Sequence, residues 1–419
     1  MSERFAWHEG AQLRDAGGTR LWPADPVKAN GLVAIDDTDA GPALIAALAA
    51  AAAGAEFCVA PADRIAALGS SQPVPEHFQC LSSGTTGEPR RIRRSQASWL
   101  ASFSENARLF SLTPRDRGAV LGRLSHSLSL YAACEALHLG MDLELLAGLR
   151  PGAQRRALAE RGVSILYATP AQLRLLADAR GPALGRLRLV LVGGGSFAGD
   201  LRKAVTAMAP GAQIVEFYGA SETSFATLAD AATPEGSVGR AYPGVTLSVR
   251  DGEGRMLPAG ETGEVWVDSP YLFAGYAEGE PGDTRGGGAG VSVGEMGRLD
   301  TKGYLTLAGR KSRMVTIADQ NVYPEAVEAI LAGLPGIARV AVLARPDRLR
   351  GTVLDAAVLP GAGFDAQAVL SLARARLGPL QAPRRLHLCD DWPVLASGKP
   401  DLRALAARFA KADDGAGDG

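Results

Sequence analysis

The segment LSSGTTGEPRRI, at positions 81–92, concentrates residue types that bind phosphate. Small hydroxyl residues and glycines fill positions 82–87, and Pro89, Arg90 and Arg91 follow. Glycines let backbone N–H groups converge on an anion, while Ser and Thr hydroxyls add hydrogen-bond donors and can contact Mg²⁺. The Walker ending GKS or GKT is absent. By itself, the segment fits either a phosphate loop or a plain turn between two elements.

Four further segments combine charged residues with glycine or proline, and three of them also contain aromatic residues. They are EFYGASET (216–223), VGEMGRLDTKGYLTLAGR (293–310), NVYPEAVE (321–328) and SGKPDLRAL (397–405). The lysine of the last segment, Lys399, is one of only six lysines among 44 basic residues. Because this chain uses arginine for most of its positive charge, a retained lysine indicates a position where a compact ammonium suits better than a guanidinium.

These five segments together resemble, in order and spacing, the motifs of the adenylate-forming superfamily of acyl- and aryl-CoA synthetases, luciferases and peptide-synthetase adenylation domains. Positions 82–92 resemble [S/T]SGTTGxPKGV, with Arg90 at the lysine and Arg91 at the glycine. The others resemble YGxTE, TGDxGxxDxDGYLxxxGR, the segment that opens the small domain and the C-terminal GK motif. The resemblance covers residues 82 to 405 and is weakest before Cys80, where family members have a longer N-terminal region.

The resemblance implies a reaction in two steps. A carboxylic acid is activated by ATP and Mg²⁺ as an acyl-adenylate with release of pyrophosphate, and the acyl group then passes to a thiol of CoA or an acyl-carrier protein. Because the first step brings two anions together, the site must neutralise charge without blocking in-line attack. Two alternatives stay open: a ligase with a non-thiol acceptor, and a non-catalytic nucleotide-binding homologue.

For the phosphates of ATP, the resemblance implies a set of residues within the first segment. They are Ser83, Gly84, Thr85, Thr86, Gly87 and Arg90. Arginine at position 90 can still bind phosphate through its bidentate fork. Two possibilities stay open for Arg91, a contact with pyrophosphate or a position facing solvent. Glu222 matches the Mg²⁺ ligand of the family, with Thr86 as a second metal contact.

The resemblance also implies contacts with adenine and ribose. The implied nucleotide-binding residues are Gly194, Tyr218, Gly219, Ser221, Glu295 and Arg310. Tyr218 matches the ring that lies against adenine, and the segment GGGSF at 193–197 matches a wall of the adenine and acid pockets. Glu295 replaces the aspartate that binds both ribose hydroxyls, and its extra methylene shifts the carboxylate by about 1.5 Å.

Two further residues match catalytic positions of the family. Lys399 matches the lysine that bridges the substrate carboxylate and the α-phosphate; without the motif, it would be interpreted as a solvated side chain. His126 matches a residue that closes the acid pocket, although a lone histidine is more often structural. Amino-acid-activating members place an aspartate near this point, and the segment RLSHSLSLY has none. We therefore expect an aryl or acyl acid without an α-amino group.

One departure from the family concerns the second step. CoA synthetases usually have two small residues, often glycines, where the pantetheine arm passes, and Ala318 and Asp319 align with them. A carboxylate there narrows the tunnel, so adenylation is the firmer expectation. The shortened N-terminal region and this loop resemble small stand-alone ligases that load aryl or unsaturated acids in bacterial pigment and secondary-metabolite pathways.

The elements that must position these residues follow from length and pattern. A chain of 419 residues, 47% hydrophobic, is long for one core, so we expect two domains. Between residues 40 and 220, helices alternate with short apolar strands, which predicts a mostly parallel sheet. Alternating strands follow from Val245, positions 278–290 are typical of a flexible loop, and an α+β unit follows Arg310.

The fold class expected from this pattern and the resemblance is the adenylate-forming enzyme fold. It comprises a large N-terminal α/β domain over residues 1–311, with mostly parallel sheets and a β-rich subdomain. A small, mobile α+β domain follows over residues 312–419, of which we expect residues 411–419 to be disordered.

Charge, cysteine content and hydropathy limit the classes of function. The formal net charge of −1 gives no field that would attract nucleic acid or an anionic membrane, so small molecules or proteins are the expected partners. Four cysteines without CxxC spacing favour a reducing compartment. The alanine-rich stretch 43–60 contains Glu56, and no N-terminal signal core is present. We expect a cytoplasmic protein without a membrane span.

Overall fold

The computed structural model describes most of the chain. The described residues are 4–26, 31–66, 68, 72–81, 90–195, 197, 199–279, 281–287, 290–318, 320–347, 351–395 and 400–414. They belong to two compact units, the first built from ranges 1–247, 267–282 and 286–291 and the second from ranges 248–266, 283–285 and 292–419. The boundary between residues 311 and 312 stays a prediction.

The strands are numbered in chain order. They are β1 (Leu13–Arg14), β2 (Arg20–Leu21), β3 (Val33–Asp36), β4 (Phe57–Ala60), β5 (His77–Leu81), β6 (Arg91–Ser95), β7 (Arg117–Val120), β8 (Asp142–Leu145), β9 (Ile165–Ala168), β10 (Leu189–Val192), β11 (Gln213–Ala220), β12 (Ser224–Ala229), β13 (Arg240–Ala241), β14 (Thr246–Arg250), β15 (Gly263–Asp268), β16 (Gly275–Glu278), β17 (Arg285–Gly287), β18 (Gly290–Ser292), β19 (Glu295–Leu299), β20 (Leu305–Arg310), β21 (Val315–Ile317), β22 (Gln320–Val322), β23 (Ile337–Asp347), β24 (Gly351–Pro360) and β25 (Leu386–Leu388).

The helices are numbered in the same way. They are α1 (Ala40–Ala52), α2 (Ala62–Ile65), α3 (Gln96–Phe110), α4 (Ser127–His138), α5 (Pro151–Glu160), α6 (Pro170–Asp178), α7 (Gly199–Met208), α8 (Pro324–Ala332), α9 (Ala366–Gln381) and α10 (Leu402–Asp414). A short 3₁₀ turn occupies Lys311–Arg313. Helix α10 includes residues 411–414, for which we expected disorder, while residues 415–419 lie outside the described part of the chain.

One mostly parallel sheet and one mixed sheet form the frame of the first unit. The larger has the strand order β13-β12-β11-β10-β9-β7-β8-β1-β2, and β9, β10 and β11 are parallel neighbours in it. The other has the order β16-β6-β5-β4-β3, in which β3, β4 and β5 are parallel and β6 and β16 antiparallel. The predicted parallel α/β architecture is therefore confirmed.

The apolar runs of the sequence explain this architecture. Every residue of β9 (ILYA) and β10 (LVLV) is buried, as expected for strands covered by helices on both faces. Helix α1, in the alanine-rich stretch, has 13 residues, and Asp39 caps its first turn by accepting a hydrogen bond from the Gly41 N–H. None of the described helices meets the length and hydropathy that a membrane crossing needs.

The β-rich and C-terminal regions also follow the predicted pattern. A six-stranded sheet has the order β17-β18-β15-β19-β20, with β14 paired to β15. Strands β23, β24 and β25 form a three-stranded sheet, and helices α8 and α9 supply apolar residues to the same core. One detail was wrong: positions 278–290, predicted as a flexible loop, contain the short strand β17 and the first residue of β18.

A polar network lies inside the otherwise apolar core of the first unit. Glu135 of α4 is fully buried and accepts hydrogen bonds from Asn106 Nδ2 at 2.8 Å and from the hydroxyls of Tyr131 and Tyr167. The Tyr242 hydroxyl donates to Asn106 Oδ1 at 2.9 Å. Glu135 has no ion-pair partner among the described residues, and burial raises its pKa to about 7.

We predict that the Glu135→Gln variant becomes more stable relative to the wild type as the pH rises. Because the folded-state pKa of Glu135 is raised from 4.5 to about 7, its contribution is fully present below about pH 4.5 and is lost as the pH rises through 7. The wild type should lose roughly 2–3 kcal/mol relative to the variant between pH 5 and pH 8. Urea unfolding followed by circular dichroism measures this difference, and parallel pH profiles for the two proteins would contradict it.

Candidate active site

The strands on either side of the predicted phosphate loop are neighbours in one sheet. Leu81, at the end of β5, pairs with Arg91, at the start of β6, and Leu81 also forms a bridge with His126. His126, at the entrance to α4, therefore lies beside the strand that leads into the loop. Residues 82–89 lie outside the described residues. The predicted roles of Ser83, Gly84, Thr85, Thr86 and Gly87 stay predictions.

Arg91 does not face solvent, which was one of the two possibilities left open. Its side chain is 3% exposed and pairs with Glu278 Oε2 at 3.0 Å. On the same strand, the Arg93 guanidinium donates to the buried carboxylate of Glu56 at 2.6 Å. Both Arg91 and Arg93 are thus engaged in ion pairs within the protein.

Arg90, predicted to bind phosphate, lies against the segment that follows β16. Its Nη1 donates to the Pro281 carbonyl at 3.1 Å, and its guanidinium carbon is 5.8 Å from the centre of the Tyr276 ring. A Cβ on Gly282 would come within 2.5 Å of Arg90 Nη2. The structure thus places Arg90 beside β16, and its phosphate contact stays a prediction.

Glu222 lies in the turn between β11 and β12 and is 7% exposed. Its Oε1 accepts a hydrogen bond from the Tyr276 hydroxyl at 2.7 Å, and its carbonyl accepts one from the Phe273 N–H at 2.8 Å. Oε2 of Glu222 has no hydrogen bond from any described residue. No group of three or more acidic, His or Cys side chains that could hold a metal occurs in the described part of the chain. A single carboxylate fits Mg²⁺, which usually takes one or two carboxylates together with phosphate oxygens and water.

The motifs did not point to Arg94, which nevertheless holds the turn of Glu222. Its side chain is 1% exposed and donates to the Ser221 carbonyl, to Ser224 Oγ at 2.9 Å and to the Tyr271 carbonyl. Burial lowers its pKa to about 10, partly offset by nearby groups that include Glu222. In the sequence, Arg94 was one more arginine in RIRRS, and only the alternation of side chains along a strand could have indicated its burial.

The predicted adenine-side residues lie on β11 and at the end of β10. Tyr218 is half-buried opposite Thr227, and a β-bulge follows it at Gly219. A Cβ on Gly219 would come within 1.9 Å of the Ser224 carbonyl oxygen, so this position requires glycine. Ser221 Oγ donates to Ser127 Oγ at 3.3 Å, which links the motif turn to the first residue of α4. Gly194 follows β10 with a φ of +84°.

His126 precedes α4 and is half-buried. Burial lowers its pKa, Arg123 adds to the effect and Asp37 opposes it, so the neutral imidazole is favoured near pH 7. The carboxylate of Asp37 holds the segment that precedes His126. It accepts hydrogen bonds from Arg123 Nε at 3.0 Å and from the Ser125 N–H at 2.9 Å. Together with the Leu81 bridge, these contacts fix the backbone that presents the imidazole.

The remaining predicted site residues belong to the second unit. Glu295 and Arg310 are direct partners across β19 and β20, and Arg310 Nη2 lies 3.2 Å from Glu295 Oε1. Ala318 has a φ of +46°, a conformation that glycine adopts more readily than alanine. Asp319 and Lys399 lie outside the described residues, and their roles stay predictions.

A mostly parallel sheet, a mixed sheet whose antiparallel strands flank the loop position, and a buried carboxylate in the turn of Glu222 agree with the fold predicted for the class of adenylate-forming enzymes. The AMP-binding enzyme model matches residues 32–277, and the AMP-binding enzyme C-terminal domain model matches residues 326–399. The chain therefore belongs to the family of AMP-binding enzymes. The resemblance and fold class predicted from the sequence are confirmed.

Two relatives found by sequence agree with this assignment. An uncharacterized acyl–CoA ligase, YhfT of Bacillus subtilis, is 30% identical over 330 residues, which cover 78% of this chain and 67% of YhfT. The indoleacetate–CoA ligase of Aromatoleum aromaticum is 30% identical over 347 residues, with coverages of 78% and 67%. The chain thus spans about two thirds of these relatives.

The fold is shared with a solved structure, ATP-bound MatB from Rhodopseudomonas palustris. The TM-score is 0.80 at 21% identity, and the match covers 96% of each chain. The family models and the CoA-ligase relatives confirm the predicted class, an AMP-forming acid–thiol ligase, and with it the predicted reaction type, activation of a carboxylic acid as an adenylate followed by transfer to a thiol.

We predict that the Arg91–Glu278 pair stabilises the strands that flank the phosphate loop. The Glu278→Gln variant should lose about 1 kcal/mol of unfolding free energy, because the buried guanidinium loses its counter-charge while Glu278 itself is 56% exposed. In an Arg91→Met background, the same substitution should have almost no effect. A double-mutant cycle in urea measures this coupling, and additive effects of the two substitutions would argue against it.

Proposed function

We propose that this protein activates a small aryl or acyl acid as its acyl-adenylate and transfers the acyl group to the thiol of CoA or an acyl-carrier protein. The observation that carries this proposal is the buried turn of Glu222 beside the strands of the phosphate loop. Arg94 holds the backbone of this turn through the Ser221 carbonyl and Ser224 Oγ, and the Tyr276 hydroxyl hydrogen-bonds the Glu222 carboxylate. In this proposal the Glu222 carboxylate is a fixed ligand for Mg²⁺ next to the phosphates of ATP. Phosphoryl-transfer chemistry requires a metal in such a position.

The residues of the phosphate loop and the motif turn have distinct roles in this proposal. Ser83, Gly84, Thr85, Gly87 and Arg90 hold the β- and γ-phosphates. Glu222 and Thr86 hold Mg²⁺, which when bound neutralises charge on the phosphate oxygens. The rigid attachment of the Glu222 turn keeps its carboxylate in place, so less reorganisation is needed when ATP binds.

The nucleoside of ATP is bound in this proposal by the residues of the adenine and ribose motifs. Gly194, Tyr218, Gly219 and Ser221 form the adenine side, where Gly219 allows the close backbone approach at the bulge. Glu295 and Arg310 bind the ribose hydroxyls. Because Glu295 and Arg310 form an ion pair with each other, each restricts the orientation of the other, which supports a shared role.

The acid is bound near His126 and Lys399. A neutral imidazole, favoured by the lowered pKa of His126, can lie against an uncharged acid tail without the cost of burying a cation. The segment from Arg123 to Tyr131 has no aspartate that would pair with an α-amine, which supports an acid other than an amino acid. Lys399 bridges the carboxylate of the acid and the α-phosphate during adenylation.

CoA is the acceptor that the names of the relatives support, since both curated relatives are called CoA ligases. An acyl-carrier protein stays part of the proposal, because Ala318 and Asp319 replace the small residues that usually border the pantetheine arm. Residues 312–419 are the mobile domain that brings the acceptor to the adenylate. The four buried free thiols support a reducing, cytoplasmic location.

We predict that the Lys399→Ala variant loses adenylation by about 100-fold or more while it keeps most of its ATP affinity. The ammonium acts on the reacting carboxylate and α-phosphate, and its loss removes charge stabilisation that matters most in the transition state. Acid-dependent pyrophosphate release measures activity, and calorimetry measures ATP binding. Lys302→Ala, at an exposed turn, is the matched control and should behave like the wild type. Unchanged adenylation in Lys399→Ala would remove this lysine from the mechanism.

We predict that the wild type releases pyrophosphate from MgATP with at least one aryl or acyl acid and with no amino acid. The measurement uses benzoic, cinnamic, fatty and amino acids, with mass detection of the adenylate and then CoA or carrier protein as acceptor. Adenylate formation without stimulation by either thiol would favour the non-thiol acceptor. ATP binding without turnover of any acid would indicate the non-catalytic homologue.

A further inference from the structure

Tyr276 lies between the predicted metal ligand, Glu222, and the predicted phosphate ligand, Arg90. Its hydroxyl donates to Glu222 Oε1 at 2.7 Å, and its ring centre is 5.8 Å from the guanidinium carbon of Arg90. The Phe273 ring packs edge-on against the Tyr276 ring with 5.2 Å between the ring centres. The Tyr276 side chain thus lies against both charged groups, and the Phe273 ring limits the rotation of the Tyr276 ring.

A β-bulge in β16 directs Tyr276 towards Glu222. Tyr276 pairs with Ile92 of β6, and Glu278 pairs with the adjacent residue, Arg91, so Ala277 is the extra residue of the bulge. In a regular strand the side chains of residues 276 and 278 would lie on the same face. The bulge places them on opposite faces, with Glu278 beside Arg91 and Tyr276 on the face of Arg94.

Hydrogen bonds from the segment of Phe273 and Tyr276 hold both the backbone and the carboxylate of Glu222. The Phe273 N–H donates to the Glu222 carbonyl at 2.8 Å, and Phe273 and Tyr276 belong to the same short segment. The hydrogen bond to Oε1 restrains the rotation of the carboxylate, and Oε2 has no hydrogen bond from the described residues. Groups that hydrogen-bond a metal ligand typically raise metal affinity because they fix the orientation of that ligand.

We propose that Tyr276 is a positioning residue that orients the carboxylate of Glu222 for Mg²⁺ and couples it to Arg90 of the phosphate loop. This proposal rests on the proposed function, since it concerns the same metal and phosphate site. Tyr276 contacts neither acid nor acceptor in it. Tyr276 raises the affinity of the protein for the metal–nucleotide complex and takes no part in the reaction of the bound complex.

The test compares Tyr276→Phe with the wild type in the full chain. The probe is Mn²⁺, detected by electron paramagnetic resonance, titrated in the presence of the non-hydrolysable nucleotide α,β-methylene-ATP. We expect Tyr276→Phe to weaken Mn²⁺ binding about 10-fold. The Mg²⁺ concentration for half-maximal pyrophosphate release should rise by a similar factor, with kcat at saturating Mg²⁺ close to that of the wild type.

Two control variants make the result specific. Tyr271→Phe also removes one hydroxyl hydrogen bond, to the Pro243 carbonyl at 2.8 Å, and should keep the wild-type Mn²⁺ affinity. Glu222→Gln should lose Mn²⁺ binding, and it shows how large the effect is when the metal ligand itself is removed. Equal Mn²⁺ affinity in Tyr276→Phe and the wild type, or equal weakening in Tyr271→Phe, would overturn the proposal. If no acid supports turnover but Tyr276→Phe still weakens Mn²⁺ binding, the proposed function fails and the role of Tyr276 stands.

Discussion

The buried guanidinium of Arg94 is the interaction on which the geometry of the candidate site depends. It joins the strand that leaves the phosphate loop to the turn of Glu222, through the Ser221 carbonyl and Ser224 Oγ, and to the Tyr271 carbonyl ahead of β16. A buried cation is tolerated only where oxygen atoms surround it, because its desolvation is costly. Three segments far apart in the chain must therefore come together around this one side chain.

Strand β6 divides its charged side chains between two environments. Arg91 and Arg93 extend to one face, where they meet Glu278 and Glu56, and Ile92 and Arg94 extend to the other. The alternation of a β-strand thus separates a face of ion pairs from the face that serves the Glu222 turn. The same rule explains why an arginine-rich segment does not create a basic surface in this protein.

The fold could be predicted from the sequence wherever a motif or a periodic pattern of apolar residues was present. The parallel strands at 165–168, 189–192 and 213–220 lie in the region where alternating helices and short apolar strands predicted a parallel sheet. Contacts between distant segments were not recognisable. Nothing near Tyr276 in the sequence indicates a partner 54 residues earlier, and the burial of Arg91 depends on Glu278. Such pairings are set by strand register, which a single sequence specifies only weakly.

The bulge at Ala277 also bears on how this segment can vary among relatives. It lies beside a glycine-rich stretch in which insertions and deletions would be expected to be neutral. Loss of one residue at this position would restore the regular alternation and move Glu278 away from Arg91, towards the face of Arg94. Selection should therefore preserve the length of β16 more strictly than its composition. Relatives with glycine at position 91 should be free to lose the acidic residue at 278.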